Sequence, residues 1–311
     1  MGDPRVLTRA QLLASGLSAY EVKRDLQVGA LVPLARGVYL HRKDHDALDA
    51  TGLHRVWARH IGSTLRSGTA VSHVSAAILH RADTWNVPLK HVHVSRPRGQ
   101  GWRRTGAVHA HAVADLHKDV VCVDGVPVTS TARTIVDVGR TVPFDRAVAI
   151  GDSLLRRDPS AGSQLSHVLD AAAGLDGVAR ARYAVSFLDG RSESVGESLS
   201  RVRMAAYGIP RPALQHEVMT RDGRRYRLDF FWEEDGVAGE FDGLGKYSDR
   251  RDLVNEKFRE DALRDLGLGV IRWNWAELDR FDVVVQRFAR ARSRQRSMVM
   301  SAEEFPDTHH H

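Results

Sequence analysis

The chain has a single cysteine, Cys122, in 311 residues. That excludes an internal disulfide and any thiolate metal cluster, and it fits a reducing cytoplasm. No apolar run reaches the roughly 18 residues of a membrane helix, so no membrane partner is expected. The first residues lack an apolar h-region, so no secretory signal is expected either. Internal repeats and low-complexity linkers are also missing, which excludes solenoid and fibrous classes.

What is present is the composition of a globular protein, 42% hydrophobic and 27% charged. Lys and Arg number 45 against 39 Asp and Glu, a net charge of +6, and most of the bases are arginine. A pI near 9.7 suits a polyanionic partner, although both signs are abundant. The length exceeds what one core usually organises, so several domains are expected. His309 to His311 have the look of a purification tag and carry no weight here.

Residues 5 to 41 read as helix, turn, helix and hairpin. Thr8 and Ser18 are placed to N-cap two short helices, and Leu31 to Leu40 forms two strands around Ala35-Arg36-Gly37. This is the shape of a winged helix, with Tyr20, Lys23 and Arg24 on the second helix and Arg36 on the wing available to DNA. The same fold also serves as a protein-docking module.

Residues 46 to 80 have helical spacing, including a helix over 70–79, and residues 87 to 128 shift to short strands. The segment from Pro97 to Arg104 is a basic loop carrying Trp102, suited to phosphate contact. His109 and His111 share one strand face; a zinc site would need a third ligand, and only His117 stands near in sequence, so these are read as ordinary surface histidines. From Thr129 to Leu188 the pattern is helical again, until Asp189-Gly190 breaks it.

The stretch from Arg227 to Gly243 organises the remainder. Leu228 to Trp232 and Val237 to Phe241 read as a hairpin around Glu-Glu-Asp-Gly. Asp229 and Glu240 then sit on neighbouring strands, and Asp242 lies on the face of Glu240. Clustered carboxylates amid apolar residues point to a hard cation such as Mg²⁺, or else to solvated strand ends. Ahead of them, a helix over 192–207 opens with Ser194-Val-Gly-Glu197, a capping-box spacing, and Glu193 stands four residues before Glu197. Trp273 and Trp275 are read as core.

Helix with Glu, strand, strand with Asp, strand with Glu, helix and strand is the order of the PD-(D/E)XK nuclease core. Gly196-Glu-Ser-Leu-Ser-Arg, Arg227-Leu-Asp-Phe, Gly239-Glu-Phe-Asp-Gly, Gly245-Lys-Tyr, Glu256-Lys-Phe-Arg-Glu and Gly269-Val-Ile-Arg-Trp resemble the Vsr-like endonuclease domain of the DUF559 type over residues 190 to about 290. More loosely, Val128-Thr-Ser-Thr-Ala-Arg-Thr134 and the winged helix resemble the AbiEi-type antitoxin architecture over residues 5 to about 188.

The nuclease resemblance implies that Asp229, Glu240 and Glu197 bind Mg²⁺ or Mn²⁺. The family lysine two residues after the Glu is replaced by Asp242, so either Asp242 becomes a further ligand or a cation comes from elsewhere, with Lys246, and after it Lys257, assigned to orient water or stabilise the phosphorane. Gln215 either assists water placement or is structural. The expectation is an α/β protein, α+β and multidomain: a winged helix over 1–45, an AbiEi-like α/β middle domain over 46–189, a nuclease domain over 190–298 with a mixed sheet flanked by helices, and a tail over 299–311. Its expected activity is cytoplasmic, Mg²⁺-dependent cutting of double-stranded DNA, with restriction of phage or other foreign DNA implied by the resemblance alone. Double-strand cutting calls for two sites, so a homodimer is admitted. The competing expectation is a non-catalytic DNA-binding regulator of the antitoxin kind, and a third is a nickase for mismatched DNA.

Overall fold

The computed structural model describes residues 4–99, 107–114, 116–220, 222–243 and 259–304. Within them the protein is α+β and multidomain, with helices around three sheets. It divides into two compact units, Met1–Leu188 and Asp189–His311. No helix among the described residues is long and apolar enough to cross a membrane.

The first unit opens with β1 (Leu7–Thr8), α1 (Arg9–Ala14), α2 (Ala19–Gln27), β2 (Leu31–Ala35) and β3 (Val38–His41). Thr8 and Ser18 both make full capping boxes, with Gln11 and Glu21 returning bonds to the cap backbones. The hairpin turns at Gly37 with φ +77°, and β1 completes a sheet in the order β1-β3-β2 over the core of Leu12, Val22, Leu31 and Tyr39. Helix, turn, helix and hairpin are therefore all present.

Two short helices follow the wing, α3 (Arg42–Asp46) and α4 (Ala50–Ser63). The expected helix over 70–79 is instead β4 (Ala70–Val71) followed by α5 (His73–Leu79). Val71 pairs with β5 (Val92–Pro97) and with β8 (Val126–Thr129), so tertiary pairing overrides local helical spacing. With β6 (Val108–Val113) and β7 (Val120–Val123) they form a mixed sheet in the order β6-β5-β4-β8-β7. The unit then continues through α6 (Thr131–Thr141), α7 (Phe144–Arg157), α8 (Leu165–Ala171) and α9 (Val178–Phe187), whose aliphatic faces make one core with α5.

The Val128-to-Thr134 pattern is a structural lock. Ser130 caps α6, the Thr129 and Thr134 hydroxyls lie 2.8 Å apart, and the buried Arg133 donates to Asp119 at 3.1 Å and Asp137 at 2.9 Å. Asp137, 1% exposed, also accepts from Arg140 at 3.1 Å. A buried pair of this kind is costly to break from one side, because the surviving charge has no water to turn to.

The second unit begins with α10 (Val195–Ala206), followed by β9 (Ala213–Met219), β10 (Arg225–Trp232) and β11 (Val237–Asp242). Residues 259–265, helix α11, return the chain to β12 (Gly269–Asn274); α12 (Trp275–Leu278) and α13 (Asp282–Glu304) close it. The sheet order is β12-β11-β10-β9, antiparallel except for the β11–β12 pair. The hairpin turn is a 3₁₀ turn closed by Gly236 at φ +59°, and its Asp235 is buried against Arg292 at 2.7 Å, not solvated.

Close approach fixes the position of α10. A Cβ on Gly196 would meet Phe241 at 1.9 Å, and one on Gly239 would meet Trp232 and Trp273 at 2.9 Å. Glycine at 196 therefore lets the helix N-terminus settle onto β11. Trp273, 1% exposed, fills the space beneath and donates its indole N–H to Ser200 at 2.7 Å.

Candidate functional site

The second unit holds a cleft of about 750 Å³ lined by Glu193, Ser194, Glu197, Glu217, Arg225, Tyr226, Arg227, Asp229, Phe241, Gly243, Arg259 and Trp275. Two of the sequence-selected acids, Glu197 and Asp229, thus face one space. Glu197 is 7% exposed; its carboxylate accepts the Glu193 N–H at 2.8 Å, the Ser194 hydroxyl at 2.8 Å and the Gln215 amide at 2.9 Å. Burial raises the Glu197 carboxyl above the ordinary range, and the adjacent Asp229 charge adds to this, while the Glu193 N–H works against them. Glu193 does not share the helix face, since it precedes the Ser194 cap; it pairs with Arg227 at 2.6 Å on the cleft rim.

Asp229 is half-buried and accepts the Phe241 N–H at 3.0 Å, just beyond the Phe230↔Gly239 end of the β10–β11 pairing. Gln215 lies opposite, between the Leu214↔Phe230 and His216↔Leu228 pairs, with φ +53°. A non-glycine residue in the left-handed region costs of order 1 kcal/mol or more, and here the distortion aims the Gln215 amide at Glu197. Backbone strain of this kind occurs preferentially at functional sites.

Glu240 is placed differently. Its carboxylate lies 2.6 Å from Arg259 and accepts from Arg272 at 3.0 Å, and Arg272 is its register partner on β12. Arg259 also donates to the Arg227 carbonyl at 2.6 Å and sits 6.0 Å from the Tyr226 ring centre. The expected convergence of Glu197, Asp229 and Glu240 on one ion is therefore corrected: their oxygens do not form a trio within 4.8 Å, and Glu240 is neutralised by two guanidiniums. Asp242 ends β11, half-buried, beside Asn274 in register. Lys246 and Lys257 lie outside the described residues, as does the basic loop from residue 100 through 106. Trp275 departs from the core role expected of it, standing half-buried at the cleft wall, edge-on to Phe241 with ring centres 5.4 Å apart.

In the first unit Lys23 and the 75%-exposed Tyr20 stand on α2, and Arg36 is exposed at the hairpin turn. Arg24 is tied to Asp25 at 3.0 Å.

A second cluster was not anticipated. His93 Nδ1 and His111 Nε2 are 2.9 Å apart, the His73 and His111 rings stack at 3.7 Å between centres, and His109 stacks on His111 at 4.4 Å. His73, His93 and His111 form the one group of three His, Cys, Asp or Glu side chains among the described residues with ligand atoms mutually within 4.8 Å. His117, the third ligand suggested by sequence, is not in that group. Burial, reinforced by neighbouring histidines and, at His73, also by Arg140 and Arg133, pushes His93 down to about 4 and His111 to about 2, and holds His73 well below the usual imidazole range. All three rings are therefore neutral at pH 7. The pairing of β5 with β6 brings them together, since His93↔His109 and Ser95↔His111 stand in register. His73 comes from the start of α5, a distant element that no sequence spacing links to the strands.

No family model matches the chain. It is 31% identical over 199 residues to two uncharacterized proteins of Mycobacterium tuberculosis, Rv2248 and MT2308, a span covering 63% of this chain and 71% of each relative. The chain belongs to the family of these mycobacterial proteins. A crystal structure of the RV2827C protein from Mycobacterium tuberculosis is similar at a TM-score of 0.35 and 16% identity, over 60% of this chain and 77% of that one.

Proposed function

We propose that the protein is a metal-dependent DNA endonuclease whose reaction centre is the cleft of the second unit, with the winged helix engaging duplex DNA. The observation that carries this reading is the placing of Glu197 and Asp229 in one cleft, where the Asp229 charge acts on Glu197, while Gln215 takes a left-handed backbone and bonds the more buried acid. That donor set fits a hard divalent ion, which is held by one or two carboxylates together with water and phosphate oxygens. When bound, Mg²⁺ or Mn²⁺ would neutralise the scissile phosphate and lower the pKa of a water. Glu197 and Asp229 would hold it. The Gln215 amide orients the Glu197 carboxylate, and Arg225 and Arg227 on the exposed rim attract the phosphate backbone. Lys246 or Lys257 is the proposed source of a further cation for the attacking water or the phosphorane.

One finding favours a second reading. With Arg259 and Arg272 on Glu240, the family's third acid is already neutralised, which suits a non-catalytic DNA-binding regulator of the antitoxin kind. Incubation of the protein with supercoiled plasmid and Mg²⁺ or Mn²⁺ separates the two. The nuclease reading expects nicking or linearisation that Asp229→Ala abolishes with an unchanged circular-dichroism spectrum. Equal cutting by that variant refutes the site, and tight promoter binding without cutting in either metal supports the regulator. Cytoplasmic location, homodimerisation and restriction of phage DNA belong to the same proposal.

A further inference from the structure

From the approach of their ring nitrogens, we infer that His73, His93 and His111 form a binding site for a divalent first-row transition ion, Zn²⁺ in the first place, inside the first unit. This goes beyond the nuclease reading and does not depend on it. Nitrogens of His93 and His111 come within 2.9 Å, and one ring nitrogen from each of the three histidines lies within 4.8 Å of the others, close to what a tetrahedral ion needs. Zn–N bonds of 2.0–2.1 Å place ligand nitrogens roughly 3.3 Å apart. Three nitrogen donors without a carboxylate select Zn²⁺, Co²⁺, Ni²⁺ or Cu²⁺ over Mg²⁺ or Ca²⁺. Three protein ligands also leave one coordination position for water.

Independent features support a ligand at this place. His73 is 1% exposed and held at φ +54°, a conformation disfavoured for a residue with a Cβ, so its ring is fixed where the two strands present theirs. Its Nδ1 lies 2.9 Å from the Ser72 hydroxyl and 4.0 Å from Asp137, a carboxylate behind a histidine of the kind that orients metal ligands. Ser95, the register partner of His111, is fully buried, and its hydroxyl has no hydrogen-bond partner among the described residues. A metal-bound water on that strand face would supply one. The backbone of His93 is pinned by the Ser75 hydroxyl at 2.9 Å, which in turn meets His54 at 2.8 Å, so β5 is held in place at its histidine.

The test is titration of chelator-treated full-length protein with Co²⁺ as the coloured probe, followed by Zn²⁺. The wild type is expected to take up one more equivalent than His111→Gln, with the intense visible bands of a tetrahedral ion that Zn²⁺ then abolishes. The terminal histidines are the same in both proteins and cancel in the difference. Asp229→Asn is expected to keep this uptake, which separates the histidine site from the cleft. Equal uptake and equal spectra for the wild type and His111→Gln overturn the assignment. Should His111→Gln fail to fold, crystals of the wild type soaked in Zn²⁺ decide: an anomalous peak among the three rings supports the site, and none there refutes it.

Discussion

The two units each gather titratable groups in a partly buried place, but with opposite chemistry. The first collects neutral bases, His73, His93 and His111; the second collects acids, Glu197 and Asp229, within a basic rim. Desolvation disfavours the charged form in both, so it lowers the imidazoles and raises Glu197. One physical cost, loss of water, leaves neutral imidazole nitrogens in one unit and a carboxyl with a raised pKa beside a second acid in the other. Under the two proposals, metal affinity would divide between them by donor type.

The comparison breaks most sharply where a buried charge anchors one cluster. Asp137→Ala takes the carboxylate from Arg140, leaves the buried Arg133 with Asp119 alone, and is expected to cost the first unit roughly 3–5 kcal/mol. Amide hydrogen exchange resolved by unit checks this; protection lost equally in both units would sever the effect from the Asp137 cluster.

Acid sharpens it next. The folded pKa of His93 lies below its ordinary value, so the contribution to stability is present above about 6.5 and is lost as pH falls toward about 4. For metal-free protein that loss is about 3 kcal/mol from His93 alone, by the conversion of pKa shift to free energy. Glu197 runs the other way: its folded value is raised, so its contribution is present below about 4.5 and lost as pH rises through the folded value. Unit-resolved exchange across pH 4 to 7 reads both signs, and a common sign in the two units contradicts the account.

Smaller effects belong to the cleft. Gly196→Ala drives a methyl into Phe241, with an expected cost of about 1–3 kcal/mol to the second unit in urea unfolding. Gln215→Gly relieves the left-handed backbone while losing one hydrogen bond, two terms of about 1 kcal/mol each that nearly cancel. Stability should hardly change while plasmid cutting collapses; cutting at the wild-type rate would show that the amide is only structural.

Much of this architecture could be read from sequence where the signal is local. Thr8 with Gln11, Ser18 with Glu21 and Ser194 with Glu197 mark helix starts through side chains three residues from the backbone they cap. The hairpin between β10 and β11 and the Glu197 and Asp229 pair followed from strand periodicity and from the nuclease resemblance. Partners set by tertiary packing were not legible. Arg272 reaches Glu240 across 32 positions through parallel pairing, and Arg259 arrives from a helix, so an acid expected to hold a metal is paired with two guanidiniums. The histidine trio stayed hidden for a related reason: His93 and His111 are 18 positions apart and meet by strand register, and His73 joins them from α5. Val71 in a strand rather than a helix has the same origin, a pairing with Val94 and Val128 that no local spacing encodes.

The most direct measurement is isothermal titration of metal-free protein with Mn²⁺, carried out on the wild type, Asp229→Asn and His93→Gln. The account predicts one stoichiometric Mn²⁺ per chain in the wild type, lost in Asp229→Asn and retained in His93→Gln. No Mn²⁺ uptake by the folded wild type, or uptake untouched by Asp229→Asn, would contradict the assignment of the acidic cleft as a hard-metal centre.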